Sequence, residues 1–400
     1  MKASALVIGG GPAGIGAALE LAAAGIKVYL VEKEGAVGGW GARYVCKATD
    51  KCRQCSACLI PEKIQEVYQE PLVEILTNTQ VVGFAEEAGR FQVRLQREQT
   101  LDPALCNACG KCLEACPRGA VERLNPWAVA YSIDKEKCAV YAGENCDLCA
   151  RACPTGAINF QRPSASWDVS VDLVVAATGH QPFDARRKYR LGYGRFPRVI
   201  TGLELEEALN RIEGIDIFGD GWKPMNVAFI QCVGSRDVQE GAEYCSRVCC
   251  KYALRLAGLM RHREPQTQVT FYYMDIQTGG KGFSEVYQDC REHFAFVRGI
   301  PAKIDGSDPL KLHLDGVSGQ SFTTREHDLV VLSVGITPSP DNEEIARLLT
   351  LNRDEHGFLK GREGVYVAGT AGGPRDISES LAHGMETAAK AITKLEGREG

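Results

Sequence analysis

The sequence predicts an α/β protein with two dinucleotide-binding-type domains and a small α+β module inserted into the first of them. Three observations support this prediction: a glycine-rich turn between two apolar runs near the N-terminus, a further apolar run of the same kind at 226–230, and four dense groups of cysteines. At 400 residues the chain is long enough for two to three domains with cores of their own. Hydrophobic residues make up 44% and charged residues 24%, which is ordinary for a globular protein and argues against disorder.

The first element is a glycine-rich turn between a strand and a helix. The apolar run 5–8 precedes Gly9-Gly10-Gly11-Pro12-Ala13-Gly14, a helical segment follows over 15–24, and a second apolar run, 28–31, ends at Glu32. This is the pattern G-x-G-x-x-G, with an acid 18 residues after its last glycine. Glycines let the backbone approach a pyrophosphate, the helix N-terminus supplies partial positive charge, and Glu32 can accept ribose hydroxyls. The pattern predicts a dinucleotide site, with a tight turn that binds nothing as the weaker alternative.

Two later segments favour FAD as the dinucleotide. Residues 172–179 form an apolar run that ends in Ala-Thr-Gly, and residues 364–370 read Gly-Val-Tyr-Val-Ala-Gly-Thr. Together with the N-terminal turn and Gly38-Gly39, they resemble the thioredoxin-reductase-like group of FAD enzymes. Such enzymes usually carry Gly-Asp at the second segment, whereas this chain has Thr370, and Asp376 is close enough in sequence to replace that acid. The turn and the resemblance assign to FAD the residues Gly9, Gly11, Pro12, Ala13, Gly14, Glu32, Lys33, Gly38, Gly39, Trp40, Thr178, Gly179, Gly369, Thr370, Asp376 and Ile377.

Sixteen of the 17 cysteines fall into four groups of four. The second group, 106–116, has the bacterial ferredoxin spacing Cys-x2-Cys-x2-Cys-x3-Cys-Pro, and the third, 138–153, repeats it with a longer first interval. A Gly-Ala pair follows each group, so the two form an internal repeat. In two-cluster ferredoxins the fourth cysteine of each run binds the other cluster. We therefore assign one [4Fe–4S] cluster to Cys106, Cys109, Cys112 and Cys153, and a second to Cys138, Cys146, Cys149 and Cys116.

Zinc sites and redox-active disulfides are the weaker alternatives for this repeat. Zinc ribbons need neither the Cys-Pro ending nor the duplicated Gly-Ala. A Cys-x-x-Cys disulfide would leave the other cysteines of each run without a role.

The fourth group lies where a second nucleotide-binding turn is expected. The apolar run 226–230 predicts the first strand of a second dinucleotide-type domain, but Gln-Cys-Val-Gly-Ser-Arg follows it, with a single glycine. The pyrophosphate cradle is therefore missing, and with it the sequence argument for NAD(P)H. The group itself consists of Cys232, Cys245, Cys249 and Cys250.

The fourth group also carries a family resemblance. Gln-Cys-Val-Gly-Ser-Arg-Asp at 231–237 and Tyr-Cys-Ser-x-x-Cys-Cys at 244–250 closely resemble the A subunit of heterodisulfide reductase and its relatives, which include the flavoprotein subunit of quinone-interacting membrane-bound oxidoreductases. Gly-Thr-Ala-x-Gly-Pro-x-Asp-Ile at 369–377 continues the resemblance, which covers nearly the whole chain. It implies a [4Fe–4S] cluster at the fourth group, close to the flavin.

One residue departs from the pattern of this family. Members that bifurcate electrons usually have Lys five residues after the last cysteine, near the flavin, whereas this chain has Arg255. We expect Arg255 to act as a catalytic cation that stabilises the reduced flavin. Because Arg does not release its proton as Lys can, flavin-based bifurcation stays an open alternative.

The first group of cysteines is compact, and one cysteine belongs to no group. Four thiols within 13 residues resemble the family's short cysteine segment at this place, and they predict a further cluster, with a redox or partner-shared site as the alternative. Four clusters are thus expected, and at least three. Cys290 is isolated in an amphipathic helical stretch and is predicted to be a small buried hydrophobe. The first group comprises Cys46, Cys52, Cys55 and Cys58.

These assignments predict a discontinuous FAD domain over 1–99, 164–200 and 325–400. The two-cluster ferredoxin module is predicted at 100–163, and a degenerate nucleotide-binding-like domain at 201–324. The resemblance implies an oxidoreductase subunit that passes electrons between FAD, clusters and partner subunits, either heterodisulfide reductase B/C-like or a dehydrogenase or hydrogenase module. The alternatives are a self-contained NAD(P)H-dependent flavoenzyme resembling the glutamate synthase small subunit, and an electron carrier or assembly scaffold without flavin.

Charge and hydropathy exclude other classes of protein. A net charge of −5 argues against a nucleic-acid binder, which must neutralise phosphates. The most apolar stretch, 3–31, contains Glu20 and Lys27 and is broken by the glycine turn, so no membrane span is expected. Without a secretion signal, 17 cysteines favour metal sites in a reducing compartment over disulfides. We expect a cytoplasmic, oligomeric protein that reaches a membrane only through partners.

Overall fold

The computed structural model describes residues 3–123, 131–211, 217–218, 221–277, 279, 282–314 and 323–399. Its helices are α1 (Pro12–Ala23), α2 (Leu59–Gln69), α3 (Lys111–Ala115), α4 (Leu148–Ala152), α5 (Gly202–Arg211), α6 (Cys249–Arg263), α7 (Phe283–His293), α8 (Asn342–Leu349) and α9 (Ile377–Glu399). Its strands are β1 (Ser4–Ile8), β2 (Lys27–Val31), β3 (Val73–Leu76), β4 (Thr79–Glu87), β5 (Arg90–Arg97), β6 (Val121–Glu122), β7 (Ser132–Ile133), β8 (Ala165–Val171), β9 (Leu173–Ala176), β10 (His180–Pro182), β11 (Val199–Thr201), β12 (Asn226–Val233), β13 (Gln268–Tyr273), β14 (Ala295–Arg298), β15 (Lys303–Asp305), β16 (Leu310–Leu314), β17 (Thr323–His327), β18 (Leu329–Val334), β19 (Ile336–Pro338), β20 (Asn352–Arg353), β21 (Leu359–Lys360) and β22 (Val365–Val367).

The first sheet is parallel and has the strand order β22-β9-β1-β2-β3. Its central strand, β1, is buried throughout and apolar after Ser4, and Leu6 pairs with Tyr29 of β2 on one side and Val174 of β9 on the other. Helices α1, α2 and α9 cover one face, and β4, β5, β8 and α8 contribute the core of the other. A sheet buried on both faces needs strands with continuous apolar sequences, and the runs 5–8 and 28–31 have such sequences. The predicted strand–turn–helix–strand unit is confirmed.

Helices α1 and α9 cross with their backbones almost in contact. A Cβ added at Gly384 would lie 2.0 Å from the carbonyl oxygen of Ala13, and one added at Gly16 would lie 2.7 Å from that of Leu381. Only a residue without a side chain fits at either crossing point. The C-terminal helix is thereby held against the first turn of α1, directly behind the glycine-rich turn.

The second sheet is also parallel, in the order β11-β18-β12-β13-β14. Helices α5, α6 and α7 contribute to the core on one face. The small antiparallel sheet β15-β16-β17 contributes to the core on the other. The strand predicted at 226–230 is the middle of this sheet. The sheet also takes in β11, which begins two residues before the predicted range 201–324, and β18, which lies after it at 329–334. These strands pair with each other and with β12 rather than with the first sheet.

The chain leaves an antiparallel sheet after β5, forms a small module, and returns to the same sheet at β8. Strands β5 and β8 pair so that Arg97 lies opposite Ala165, and the intervening residues form α3, α4 and the short pair β6-β7. An isolated bridge between Leu101 and Ile158 closes the base of the module. Because its two ends meet, the module is an insertion, as the fold prediction has it.

Candidate cofactor sites

A large cavity lies where β1 ends and α1 begins. Its volume is about 520 Å³, and its wall also includes Cys55 of the first cysteine group and Cys249 of the fourth. The predicted flavin residues in this wall are Gly9, Gly11, Pro12, Ala13, Glu32, Lys33, Gly39, Trp40, Thr178, Gly179, Thr370, Asp376 and Ile377. The three others, Gly14, Gly38 and Gly369, pack tightly against Gly9, Ala42 and Ala13.

Each glycine of the turn is needed for a different steric reason. Gly9 has φ +104°, and a Cβ there would lie 2.3 Å from the carbonyl oxygen of Ala177; one on Gly14 would lie 1.8 Å from that of Gly9. Gly11 faces open space, with no atom within 4 Å of a Cβ. Helix α1 begins at Pro12 with no side-chain cap, so its first N–H groups are available to a ligand. The turn therefore fits the pyrophosphate of a dinucleotide.

Glu32 is buried at the end of β2. Its carboxylate accepts hydrogen bonds from the backbone N–H of Gly10 at 2.8 Å and of Glu34 at 2.9 Å. Desolvation by burial outweighs these donors and raises the pKa of Glu32 to about 7. A buried acceptor at this place suits ribose hydroxyls. The neighbouring Lys33 forms an ion pair with Asp341.

Two histidines form hydrogen bonds with residues 364–370, which we call the closing segment of the cavity. His180 Nδ1 lies 3.0 Å from the hydroxyl of Thr370, and its backbone oxygen accepts a hydrogen bond from the Trp40 indole at 3.1 Å. Burial lowers the pKa of His180 to about 4, so its ring is neutral at pH 7. His383 Nδ1 accepts a hydrogen bond from the backbone N–H of Gly369 at 2.9 Å. Both side chains thus have structural partners in the closing segment.

Asp376 caps α9 and pairs with a lysine. Its Oδ1 accepts the backbone N–H of Glu379 at 2.9 Å and the hydroxyl of Ser378 at 2.8 Å, while Glu379 accepts the N–H of Asp376 at 3.0 Å, which is a capping box. Its Oδ2 accepts Lys251 Nζ at 2.7 Å. Burial opposes ionisation, but the Lys251 hydrogen bond and the cap hold the pKa of Asp376 below its usual range. A flavin hydroxyl would share this carboxylate with the lysine.

Lys251 is the residue that the sequence interpretation missed. It follows Cys250 directly on α6, its side chain is 10% exposed, and it lines the large cavity. Arg255, one turn further along, lines the cavity too, but its guanidinium donates to the backbone oxygens of Arg53 at 2.8 Å and Gln54 at 2.5 Å. The spacing of four places both cations on one face of the helix, which was the available signal. Arg255 therefore anchors the first cysteine segment, while Lys251 reaches Asp376 at the start of α9.

The inserted module contains a second, small cavity. Its wall includes all four cysteines that the sequence assigned to one cluster, although Cys153 comes from the other run. Cys112 is buried and lies close enough to Cys106 and Cys153 to interact electrostatically with both. The wall is lined by Leu101, Cys106, Asn107, Cys109, Gly110, Cys112, Tyr131, Cys153, Thr155, Ala157 and Ile158.

The other set in the module mirrors the first. Cys149 is buried and interacts electrostatically with Cys116, from the other run, and with Cys138. Burial opposes ionisation of Cys116, yet backbone N–H donors, the first from Ala120 at 3.3 Å, hold its pKa below the ordinary thiol value. Burial likewise opposes ionisation of Cys153, and donors led by the Thr155 hydroxyl lower its pKa in the same way. The alanine of each Gly-Ala pair thus donates its backbone N–H to the fourth cysteine of its run, Ala120 to Cys116 and Ala157 to Cys153.

The fourth group surrounds the N-terminus of α6. The thiol of Cys249 is within hydrogen-bond reach of those of Cys232 and Cys250, and Cys245 interacts electrostatically with both of the latter. The hydrogen bond from Cys249 lowers the pKa of Cys250 to about 7. Cys232 adopts the left-handed region, with φ +60°, where its strand is irregular. A helix N-terminus and converging thiols suit a thiolate-bound group.

The first group is more open. Cys46, Cys52 and Cys58 are exposed, and Cys55 is partly buried. Among the described residues, no three His, Cys, Asp or Glu side chains anywhere lie close enough to share a single metal ion. That finding concerns one ion, whereas each thiolate of a four-iron cluster binds a different iron atom and lies farther from its neighbours.

Cys290, in contrast, is buried on α7, and burial raises the pKa of its thiol to about 12, as expected of a structural cysteine.

Two protein families match successive parts of the chain. Residues 3–106 match the family described as pyridine nucleotide-disulphide oxidoreductase, and residues 105–157 match the 4Fe-4S dicluster domain. The first family implies FAD and the second implies iron–sulfur clusters. In the part of the chain described by the structure, no helix combines the length and apolar character that crossing a membrane requires.

Solved structures of thioredoxin reductases share the fold. The enzyme of Lactococcus lactis superposes with a TM-score of 0.54 at 15% identity, covering 98% of each chain. That of T. acidophilum gives 0.52 at 13% identity, covering 98% of this chain and 97% of the other. At this identity the likeness concerns the fold alone, and it confirms the thioredoxin-reductase-like prediction.

Curated relatives match almost the whole chain. The A subunit of the H(2):CoB-CoM heterodisulfide,ferredoxin reductase of Methanothermobacter thermautotrophicus is 37% identical over 427 residues, and the iron-sulfur A subunit of the CoB--CoM heterodisulfide reductase of Methanocaldococcus jannaschii is 37% identical over 428. Each match covers 98% of this chain and 64% of the relative, so the chain spans just under two thirds of their length. Over nearly its whole length the chain is therefore similar to the heterodisulfide reductase A subunits, as the sequence resemblance led us to expect.

Proposed function

We propose that this chain is the FAD- and [4Fe–4S]-containing electron-transfer subunit of a multisubunit oxidoreductase. The observation that supports it most directly is the large cavity, whose wall joins the glycine turn to Cys55 and Cys249. Two cysteine groups thereby stand at the edge of one dinucleotide site. When bound, FAD supplies a two-electron acceptor and donor, and the clusters supply one-electron steps.

The chain's own residues bind and orient these groups in this proposal. The glycine turn and Glu32 hold the dinucleotide, and Asp376, with its Lys251 partner, faces the same cavity. Lys251 supplies positive charge next to the flavin, a role that the sequence assigned to Arg255. Arg255 instead positions the first cysteine segment through two backbone oxygens. Positive charge near a flavin favours its reduced, anionic form.

The proposal assigns the sixteen grouped cysteines to four clusters. Two lie in the inserted module with the crossed ligation described above, one lies at the start of α6, and one at the first group. The module clusters are exposed at the surface of the protein through cysteines such as Cys109, which suits exchange with another redox protein. Thiolate ligation suits a reducing compartment, so a cytoplasmic setting is part of the proposal.

Partner subunits are the expected electron donors and acceptors. The second domain has a cysteine-bearing irregular strand where a nicotinamide cradle would need glycines, which speaks against direct reduction by NAD(P)H. The printed names of the relatives mention heterodisulfide, ferredoxin, H2 and, in Methanococcus maripaludis, formate. We propose partners of the same kind, heterodisulfide reductase B/C-like subunits or a dehydrogenase or hydrogenase module, in an oligomeric complex. Bifurcation at the flavin is compatible with this arrangement.

The proposal is tested by counting cofactors in the anaerobically purified protein. We expect one FAD per chain, about 16 irons with matching sulfide, co-purifying redox subunits, and no bleaching of the flavin by NADH. Cys55→Ser should lower the iron count by about four, whereas the matched Cys290→Ser should leave it unchanged. Bleaching by NADH would favour a self-contained flavoenzyme instead, and absence of flavin after acid extraction would favour a simple electron carrier.

A further inference from the structure

Two buried polar side chains beside the fourth cysteine group have no partner within the part of the chain that the structure describes. Gln231 is 1% exposed and Ser333 is 2% exposed. Among the described residues, neither amide atom of Gln231 nor the hydroxyl of Ser333 has a hydrogen-bond partner. Buried polar groups in folded proteins are nearly always paired, so each such exception calls for a group that is not part of the polypeptide or for a bound water.

Strand geometry shows which way these side chains face. On β12, Phe229 packs in one core cluster with residues of α6, while Ala228 and Ile230 belong to the cluster on the opposite face. Alternation along the strand therefore places Gln231, two residues after Phe229, on the α6 face. On β18, Val331 belongs to the same α6 cluster, so Ser333 lies on that face as well.

An irregularity in the pairing brings the two side chains next to the cysteines. Ile230 pairs with Leu332 and Val233 pairs with Val334, so Gln231 and Cys232 together lie opposite Ser333. A bulge of this kind re-aims the side chains of its strand. Cys232 is turned toward Cys249 at the start of α6, and the unpartnered amide immediately precedes it in the chain.

We propose that the Gln231 amide and the Ser333 hydroxyl each donate a hydrogen bond to sulfur atoms of a cluster held by Cys232, Cys245, Cys249 and Cys250. This inference rests on the proposed function, because it needs a cluster at the fourth group. Hydrogen bonds to cluster sulfurs stabilise the more negative, reduced state and raise the reduction potential. The pair therefore sets the potential of a cluster beside the flavin cavity without ligating it.

The test is a redox titration of this cluster by electron paramagnetic resonance in three variants. Gln231→Met keeps the length of the side chain and removes the donor; its midpoint should become more negative by a roughly tenfold shift of the one-electron equilibrium, about 59 mV. Ser333→Ala should shift it in the same direction by less. Gln239→Met, the same change at an exposed glutamine beyond the cysteine, should leave it unchanged.

The outcomes separate this inference from the function on which it rests. A full iron count with unchanged potentials in both Gln231→Met and Ser333→Ala would overturn the inference and leave bound water as the partner of the two side chains, with the cluster intact. If Gln231→Met loses its iron, the milder Ser333→Ala decides: a negative shift supports the proposal and no shift overturns it. If the Cys249→Ser variant holds as much iron as the wild-type protein, the cluster itself is refuted.

Discussion

Glu32 shows how one residue of a sequence motif acquires its chemistry from burial. Its spacing from the glycine turn predicted a ribose acceptor, but its pKa of about 7 follows only from the way β2 and the turn enclose it. The same holds for Asp376, whose sequence position suggested a flavin contact while the structure shows a helix cap and an ion pair with Lys251. Sequence identifies residue types at the correct places; the partners depend on tertiary packing.

The raised pKa of Glu32 predicts that FAD affinity depends on pH. In the flavin-free protein the carboxyl is largely protonated below pH 7, whereas ribose hydroxyls donate to its ionised form. Binding must then release a proton, so affinity should rise between pH 6 and 8 by up to about tenfold per unit below the pKa. Glu32→Gln should weaken binding at pH 8 and abolish the pH dependence. Fluorescence titration of FAD into flavin-free protein measures both; an equally steep pH dependence in the variant would contradict the assignment.

Lys251 is predicted to raise the flavin potential and to stabilise the contact between α6 and α9. Lys251→Met leaves the partly buried Asp376 without its cation, so we expect a loss of about 1–3 kcal/mol in stability and a more negative flavin midpoint. The matched control is Arg247→Met, which removes the exposed ion pair between Arg247, just before α6, and Glu379 of α9, and should cost about 1 kcal/mol or less. Thermal unfolding and flavin redox titration, with iron counted in each variant, make the comparison. Equal effects of the two variants would show that Lys251 has no special role.

At the scale of elements, the sequence predicted best where its signal was periodic or repeated. The strands at 5–8, 28–31 and 226–230 and the cysteine repeat lie where expected, because apolar runs and fixed spacings are local properties. The predicted boundary at 325 places the strand 329–334 in the FAD domain, whereas it pairs with β12 of the second sheet. Nothing in the local sequence of a parallel strand shows which neighbour it will take. The hydrogen-bond partners of Arg255 were not predictable for the same reason, because they lie on the segment after Cys52, 201–202 residues away in sequence.

The inserted module makes a prediction about which cysteines act together. If the fourth cysteine of each run crosses over, Cys153→Ser and Cys112→Ser should remove one and the same cluster signal, while Cys116→Ser and Cys149→Ser should remove the other. Electron paramagnetic resonance of the reduced variants, with about four irons lost in each, distinguishes the two pairs. Ligation confined to each run would instead group Cys153 with Cys149 and Cys116 with Cys112, and that result would reject the crossed assignment.

At the scale of the whole molecule, the cofactor sites depend on how the two dinucleotide-type domains meet. Sequence motifs located the turn in one domain and the fourth cysteine group in the other, yet the shared cavity arises only from their docking. No motif marks Lys47 or Glu206, which join the segment after Cys46 to α5 as a buried ion pair. Glu206 also accepts from the Val45 backbone N–H at 2.8 Å and from the Tyr252 hydroxyl. Such contacts are long-range and leave no local pattern.

This buried pair is predicted to fix the domains to each other. With side chains 2% and 3% exposed, removal of one partner leaves an uncompensated charge, so Glu206→Leu or Lys47→Met should each destabilise the protein by about 3–5 kcal/mol. The double variant removes both charges and should recover a large part of that loss, because a matched apolar pair needs no desolvation of ions. Thermal unfolding of the three variants gives the coupling energy, and the iron count reports the first cysteine group. Losses that simply add in the double variant would mean that the two side chains act independently. In that case the docking of the domains would depend on the apolar contacts around the pair, and the iron at Cys46–Cys58 should survive in all three proteins.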